Sequence, residues 1–134
     1  MQNKCVVFYC FWEMECCGEP FSPGTRITWP VIKDPKLITL ADIRADYMHD
    51  SHNADWQSLM ILEGTVESIE VLYESYIPSS GHPRVMLPYE NERVNTELAD
   101  GSEEEKGDLK PSGYIVIIRD FTVRPAKERE ITFR

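Results

Sequence analysis

The feature that most constrains this chain is an apolar run at its start. From Cys5 to Trp12 every side chain is apolar or aromatic, reading C-V-V-F-Y-C-F-W. The run is far short of the roughly twenty residues a helix needs to cross a bilayer. Its reading is a strand from Lys4 to Trp12, covered on both faces and placed centrally in a sheet. Glu13, Met14 and Glu15 restore alternation, so the strand is expected to run on to Cys16 and Cys17. Gly18, Pro20, Pro23 and Gly24 then mark a bend, with Phe21 plugging the core between the two prolines. Thr25 to Val31 follows as a second strand, Ile27, Trp29 and Val31 pointing in and Arg26 and Thr28 out. Pro30 removes an amide donor, which marks an edge or a bulge.

Further along, Thr39 and Asp42 resemble a capping box, and Leu40, Ile43 and Tyr47 have helical spacing. A short helix from Leu40 to about Met48 is expected, followed by a loop at His49-Asp50-Ser51-His52-Asn53. Met60 to Leu72 reads as a strand that Gly64 bends or bulges, with Ile69, Val71 and Tyr73 lining the core. Pro78 to Pro83 turns that strand into Arg84-Val85-Met86-Leu87. Residues 90–108 carry eight acidic side chains against two basic ones. The centre of that stretch has no apolar side chain to offset its ordering entropy, so an exposed, mobile acidic loop is expected at about 99–110. Gly113 to Arg119 is a strong strand, and the alternation of Phe121, Val123, Ile131 and Phe133 closes the sheet. The core is expected to include Phe8, Trp29, Ile69, Ile115, Ile117 and Phe121, with Trp12 beside Trp29 and Trp56 capping an end.

About six strands, one short helix or long loop insertion and no βαβ rhythm predict a single all-β domain over residues 1–134. A small SH3-like or OB-like barrel is favoured, because closure hides strand edges, with a small sandwich as the alternative. The net charge of −9 argues against a nucleic-acid binder and against an anionic membrane surface, both of which call for basic residues. The short, aromatic N-terminal run lacks a small-x-small cleavage site, so it does not read as a signal peptide. A cytoplasmic location is therefore expected. There Cys5, Cys10, Cys16 and Cys17 would be thiols or ligands, not disulfides. Cys5 and Cys10 read as core thiols. Adjacent Cys16 and Cys17 are poorly placed to bond each other, because the vicinal ring would strain the backbone.

Cys16, Cys17, His49 and His52 together form the one candidate metal site, because thiolate and imidazole suit tetrahedral zinc. In an extended strand neighbouring cysteines point to opposite faces, so one cysteine with two histidines is the favoured set. Such a site would leave a position open for a catalytic water. The competing reading makes the thiols ordinary small hydrophobes and the histidines ordinary loop residues. Cys17 as a nucleophile activated by His49 or His52 is a lesser possibility, as is a stacking surface of Trp12, Trp29 and Trp56.

Trp12-Glu13-Met14-Glu15-Cys16-Cys17-Gly18-Glu19-Pro20-Phe21, then Gly24-Thr25-Arg26-Ile27-Thr28-Trp29, resembles a small family of bacterial proteins of unknown function. That family opens with W-x-M-x-C-C-G-x-P-F and G-x-x-V-x-W, with Ile27 here in the valine position. His49 and His52 fall in its histidine-containing loop, and Gly64-Thr65-Val66 matches its G-x-V. The resemblance covers the first half of the chain and implies no activity. It adds weight to joint action of the two cysteines and two histidines. The leading expectation is a binding or accessory module that is not an enzyme, acting on a protein or small ligand of unknown identity, with the Cys/His zinc site as an optional stabiliser. The rival is a metal-dependent hydrolase using the same cluster, and a third reading is a homo-oligomer formed through the Pro30 edge or an aromatic face.

Overall fold

A computed structural model describes residues 3–33, 35, 43–51 and 55–127. In chain order its elements are β1 (Lys4–Cys10), α1 (Phe11–Cys17), β2 (Arg26–Lys33), β3 (Tyr47–His49), a 3-10 turn at Trp56–Ser58, β4 (Met60–Ser79), β5 (His82–Thr96) and β6 (Lys110–Pro125). The fold is mostly strand with one short helix, as the sequence implies. The strands run β2-β3-β1-β6-β4-β5, and β2 also pairs with β4.

β1 lies between β3 on one edge and β6 on the other, and its side chains are packed on both faces. Val7, Tyr9 and Cys5 enter the main core, while Phe8 joins Leu72 and Ile115 in a second cluster across the sheet. This two-sided burial is the reason the run is apolar at consecutive positions. In β2 the expected alternation holds, with Ile27, Trp29 and Val31 buried. Pro30 sits inside the ladder, opposite Ile61 of β4. Its carbonyl accepts from the Asp50 amide at 3.0 Å, on the β3 side. A strand residue's N and C=O point the same way, so the missing amide hydrogen falls away from β4 and costs that ladder nothing.

Three expectations are corrected. The first strand stops at Cys10, and Phe11–Cys17 is a helix. Its consecutive Glu13 and Met14 are both buried, a pairing that strand alternation does not give. Secondly, Tyr47 and Met48 belong to β3, parallel to β1, not to a helix. The Asp46 amide and carboxylate bond the Val6 carbonyl and amide, each at 2.8 Å. Covering the free edge of β1 outweighs the local helical spacing. Thr39, Leu40 and Asp42 lie outside the described residues, as do Ile131 and Phe133. Thirdly, Trp12 is 54 % exposed on α1 and is not core. Of the expected core, Phe8, Trp29, Ile69 and Ile115 are buried, and Ile117 and Phe121 are half-buried.

The centre of the main core is aromatic. Tyr9, Phe21 and Trp29 meet with centroids 5.0–5.5 Å apart, and Tyr114 lies 6.0 Å from Phe21. Phe21 plugs the core as expected, pinned by two backbone bonds to buried Ala99 at 3.1 and 2.9 Å. Those bonds also anchor the start of the acidic stretch. Further on, the Tyr114 hydroxyl accepts from the Gly101 amide at 2.9 Å and donates to Glu103 at 2.7 Å. Lys106 bonds Glu92 at 3.1 Å. Most side chains between residues 102 and 110 are exposed.

β4 is the longest strand, and it bends. β6 runs along one edge from Met60 to Glu74. The other edge serves β2 at Met60–Thr65 and then β5 from Ile69 to Ser79. The pairing with β6 slips between Glu63 and Thr65 and again between Val66 and Ser68. Gly64 lies in the first slip. A Cβ there would fall on the Cγ2 of fully buried Ile118 and 3.1 Å from the Arg119 carbonyl. Gly64→Ala is therefore expected to destabilise the fold by about 1–3 kcal/mol through overpacking, measured by urea denaturation. An unchanged midpoint would contradict this packing at the bend.

Candidate functional site

Two features stand out. The first is a buried polar cluster where α1 meets the end of β3. Glu13 and His49 are 3 % and 5 % exposed, and His49 Nδ1 lies 2.9 Å from Glu13 Oε1. The same oxygen accepts from the Ser51 amide at 3.0 Å and from its hydroxyl at 2.8 Å. The ring of His49 stacks on Tyr9 with centroids 4.0 Å apart and meets the edge of Trp29 at 5.6 Å. β3 places the imidazole and α1 places the carboxylate. Burial alone would raise the Glu13 carboxyl. Hydrogen bonding and attraction to the His49 ring, with the two bonds from Ser51, outweigh it and hold the carboxyl below its ordinary value. A carboxylate on one ring nitrogen fixes the imidazole's orientation, and the same arrangement supports many metal-bound and catalytic histidines.

Glu13 precedes Cys16 and Cys17 by three and four residues, so one helical face carries all three. The bend after the first strand and the imidazole segment thus meet, through Glu13. Cys16 and Cys17 are exposed and are joined to each other by a disulfide, which corrects the expectation of thiols. The pair stands at the very end of α1, where the backbone leaves the helix for the extended Gly18. His52 lies outside the described residues. Among the described residues no group of three or more His, Cys, Asp or Glu is placed to hold a metal ion. Cys5 and Cys10 are free. Burial, then nearby carboxylates, pushes Cys5 up to about 12 and Cys10 up to about 11, as befits packing thiols and not nucleophiles.

The second feature is an arm. β6 begins at Lys110, opposite Glu74 of β4. Beyond that point Ser75–Ser79 pairs with β5 alone. This two-stranded ribbon carries Tyr76, Ile77, Val85, Met86, Leu87 and Tyr89, all 41–56 % exposed. Ile77 pairs with Leu87, and a register slip between Ser75 and Tyr76 leaves Tyr89 as the extra residue between Pro88 and Glu90. At the root, buried Glu74 accepts from the Tyr76 hydroxyl at 3.1 Å and from Ser112 at 2.8 Å.

Sequence reasoning identified His49 and the cysteine pair but missed Glu13, Ser51 and the arm. A single glutamate between Trp12 and Met14 gives no local sign of burial. The arm did leave one. Residues 76–89 hold no Asp or Glu in a chain of net charge −9, and apolar residues there stand at consecutive positions among three prolines. A strand apolar on both faces, with prolines that suit an edge, has no second sheet to cover it.

The chain belongs to a family of unknown function, DUF6578, whose model matches residues 3–120. The match takes in β1 through most of β6, and with them both the buried cluster and the arm. No curated protein and no solved structure matches the chain.

Removing the carboxylate would leave the imidazole and Ser51 without their partner. Glu13→Ala is expected to cost about 3 kcal/mol at neutral pH. Because the folded-state pKa of Glu13 is lowered, its contribution is complete above the unfolded carboxyl value of about 4.3. It is lost as pH falls through the lower folded value. The gap between wild type and variant should therefore close as pH falls through the acid range. A gap that widens in acid would contradict the assignment.

Proposed function

We propose that this protein is a binding or accessory module and not a catalyst, with the β4–β5 arm as its binding surface. The hydrogen-bonded order β2-β3-β1-β6-β4 returns to β2, which supports a closed small barrel of the SH3-like or OB-like kind. On this reading the chain is one domain, with the acidic segment 99–110 moving between its anchors. The barrel is a rigid base, and the arm is presented from it. The observation that carries the reading is the exposure of six large apolar side chains on one ribbon. Scattered single apolar residues need no explanation, but a contiguous apolar patch marks an interaction surface. The absence of acidic side chains from residues 76–89 fits a protein surface without strong positive charge.

The test is site-specific photocrosslinking in the source cells, with benzoylphenylalanine at Leu87 and, as control, at exposed Thr28 of β2. Discrete adducts are expected from position 87 and none from position 28. Equal labelling from both positions, or none from position 87, would overturn the reading.

A second reading is favoured by the Glu13–His49 bond, which supports the ring as a metal ligand would be supported. With the disulfide reduced, Cys16, Cys17, His49 and His52 form a structural zinc site that locks α1 to the end of β3. A site of three such ligands and a water would instead serve a hydrolase. Reduced protein purified without a metal-affinity column should carry about one zinc per chain, lost in the Cys16→Ser and Cys17→Ser double variant. Zinc-free reduced protein would end this reading.

A further inference from the structure

We infer that the Cys16–Cys17 pair is a reversible redox site, opened by a dithiol reductant, and that its state sets how tightly the acidic segment is held at Gly101.

The disulfide does little as a staple. It joins residues one apart in sequence, the shortest loop a crosslink can close, and so takes the least freedom from the unfolded chain. α1 is already fastened by buried Met14 and by Glu13. What the pair does have is access. Both cysteines are exposed, and thiol–disulfide exchange needs an open approach to a sulfur. The other two thiols stay out of the reaction. Cys5 is buried and Cys10 half-buried. Burial holds both well above the usual thiol range, so neither supplies a thiolate at neutral pH.

The exchange balances within the pair and its reductant. A thiolate of the dithiol attacks one sulfur, the Cys16–Cys17 bond breaks, and the other cysteine leaves as a thiolate that takes up a proton. The reductant's second thiolate then displaces the first. Two thiols remain on α1 and the reductant ends as a disulfide. Two electrons and two protons have passed to the protein. An external disulfide drives the same steps backwards.

Three contacts carry the state of the pair to the acidic segment. The pair closes α1, where the Gly18 amide bonds the Met14 carbonyl at 3.3 Å. Gly18 leaves through a gap so tight that a Cβ there would fall 2.7 Å from both Met14 Cα and the Tyr9 hydroxyl. Gly101 rests on the same helix, where a Cβ on it would lie 3.3 Å from Met14 Cγ and 3.7 Å from Glu15 Cγ. The Gly101 amide donates to the Tyr114 hydroxyl, which in turn donates to Glu103. A helix of seven residues cannot hold its last turn by its own hydrogen bonds. The ring between the two side chains fixes that turn. Opening it returns freedom to the backbone beside Glu15, and so to Gly101.

The test compares oxidised protein with protein treated with dithiothreitol. It is run under native conditions with a chelator present, so that the zinc reading has no bearing on it. Alkylation followed by mass analysis should find Cys16 and Cys17 modified after the reductant and no cysteine modified before it. Oxidised glutathione should return the pair to the unreactive form. Amide exchange at Gly101 and Ser102 should run about fivefold faster in the reduced protein, with Leu72 and Val116 unchanged. The Cys16→Ser and Cys17→Ser double variant should match the reduced protein and ignore the reductant. The wild-type comparison stands on its own should that variant fail to fold. The inference is overturned if the pair resists dithiothreitol until the protein unfolds, or if Gly101 and Ser102 exchange equally in both states. It is equally overturned if the folded double variant still responds to reductant, or if Leu72 and Val116 speed up with Gly101, which would be loss of the fold.

Discussion

The rest of the structure depends on the length of β4. A strand of twenty residues is longer than any neighbour that pairs with it, so no single partner can satisfy its backbone. It takes β6 on one edge and, on the other, β2 and then β5 in tandem. The changeover falls between Thr65 and Ile69, just after the register with β6 slips around Gly64. Up to Glu74 most of the strand is paired on both edges, and Leu62, Val66, Ile69, Val71 and Tyr73 enter the main core. Past Glu74 the pairing persists but the layer beneath ends. The arm is the part of β4 and its hairpin partner that outruns the sheet. Its exposed apolar side chains follow from that mismatch.

The buried cluster solves a different problem. α1 is too short to hold itself together by helical hydrogen bonding, and it follows β1 with no turn between them. Met14 in the core and Glu13 on His49 and Ser51 fasten it at two adjacent positions. A carboxylate this deep is tolerated because one of its oxygens receives three hydrogen bonds. The stacking of His49 on Tyr9 ties the cluster to the aromatic centre of the core. The exposed Cys16–Cys17 pair therefore sits one turn from a rigid polar anchor and not on a loose loop.

Much of this was legible in the sequence where one physical rule governed. The alternation of β2 and the apolar runs of β1 and β6 read correctly, because burial pattern alone decides them. The bend at Gly64 was likewise marked by a glycine within a strand. The reading went wrong where a tertiary contact overrode a local signal. Tyr47 and Met48 have helical spacing, yet the open edge of β1 draws them into a strand. Trp12 to Cys17 alternates like a strand, yet Glu13 and Met14 are buried side by side and the segment coils. The Cys16–Cys17 disulfide was missed for a separate reason: the strain of a ring between adjacent residues was expected to forbid it. Of the proposed metal set, Cys16, Cys17 and His49 do lie on segments that meet, but the residue joining them is Glu13, which no spacing rule points to.

The central claim is that residues 76–89 form an arm that outruns the sheet. Amide hydrogen exchange followed residue by residue tests it most directly. Amides of Leu72 and Val116, inside the sheet, should be strongly protected. Those of Tyr76, Ile77, Val85 and Leu87 should exchange markedly faster. Arm amides as slow as those of Leu72 and Val116 would contradict the account.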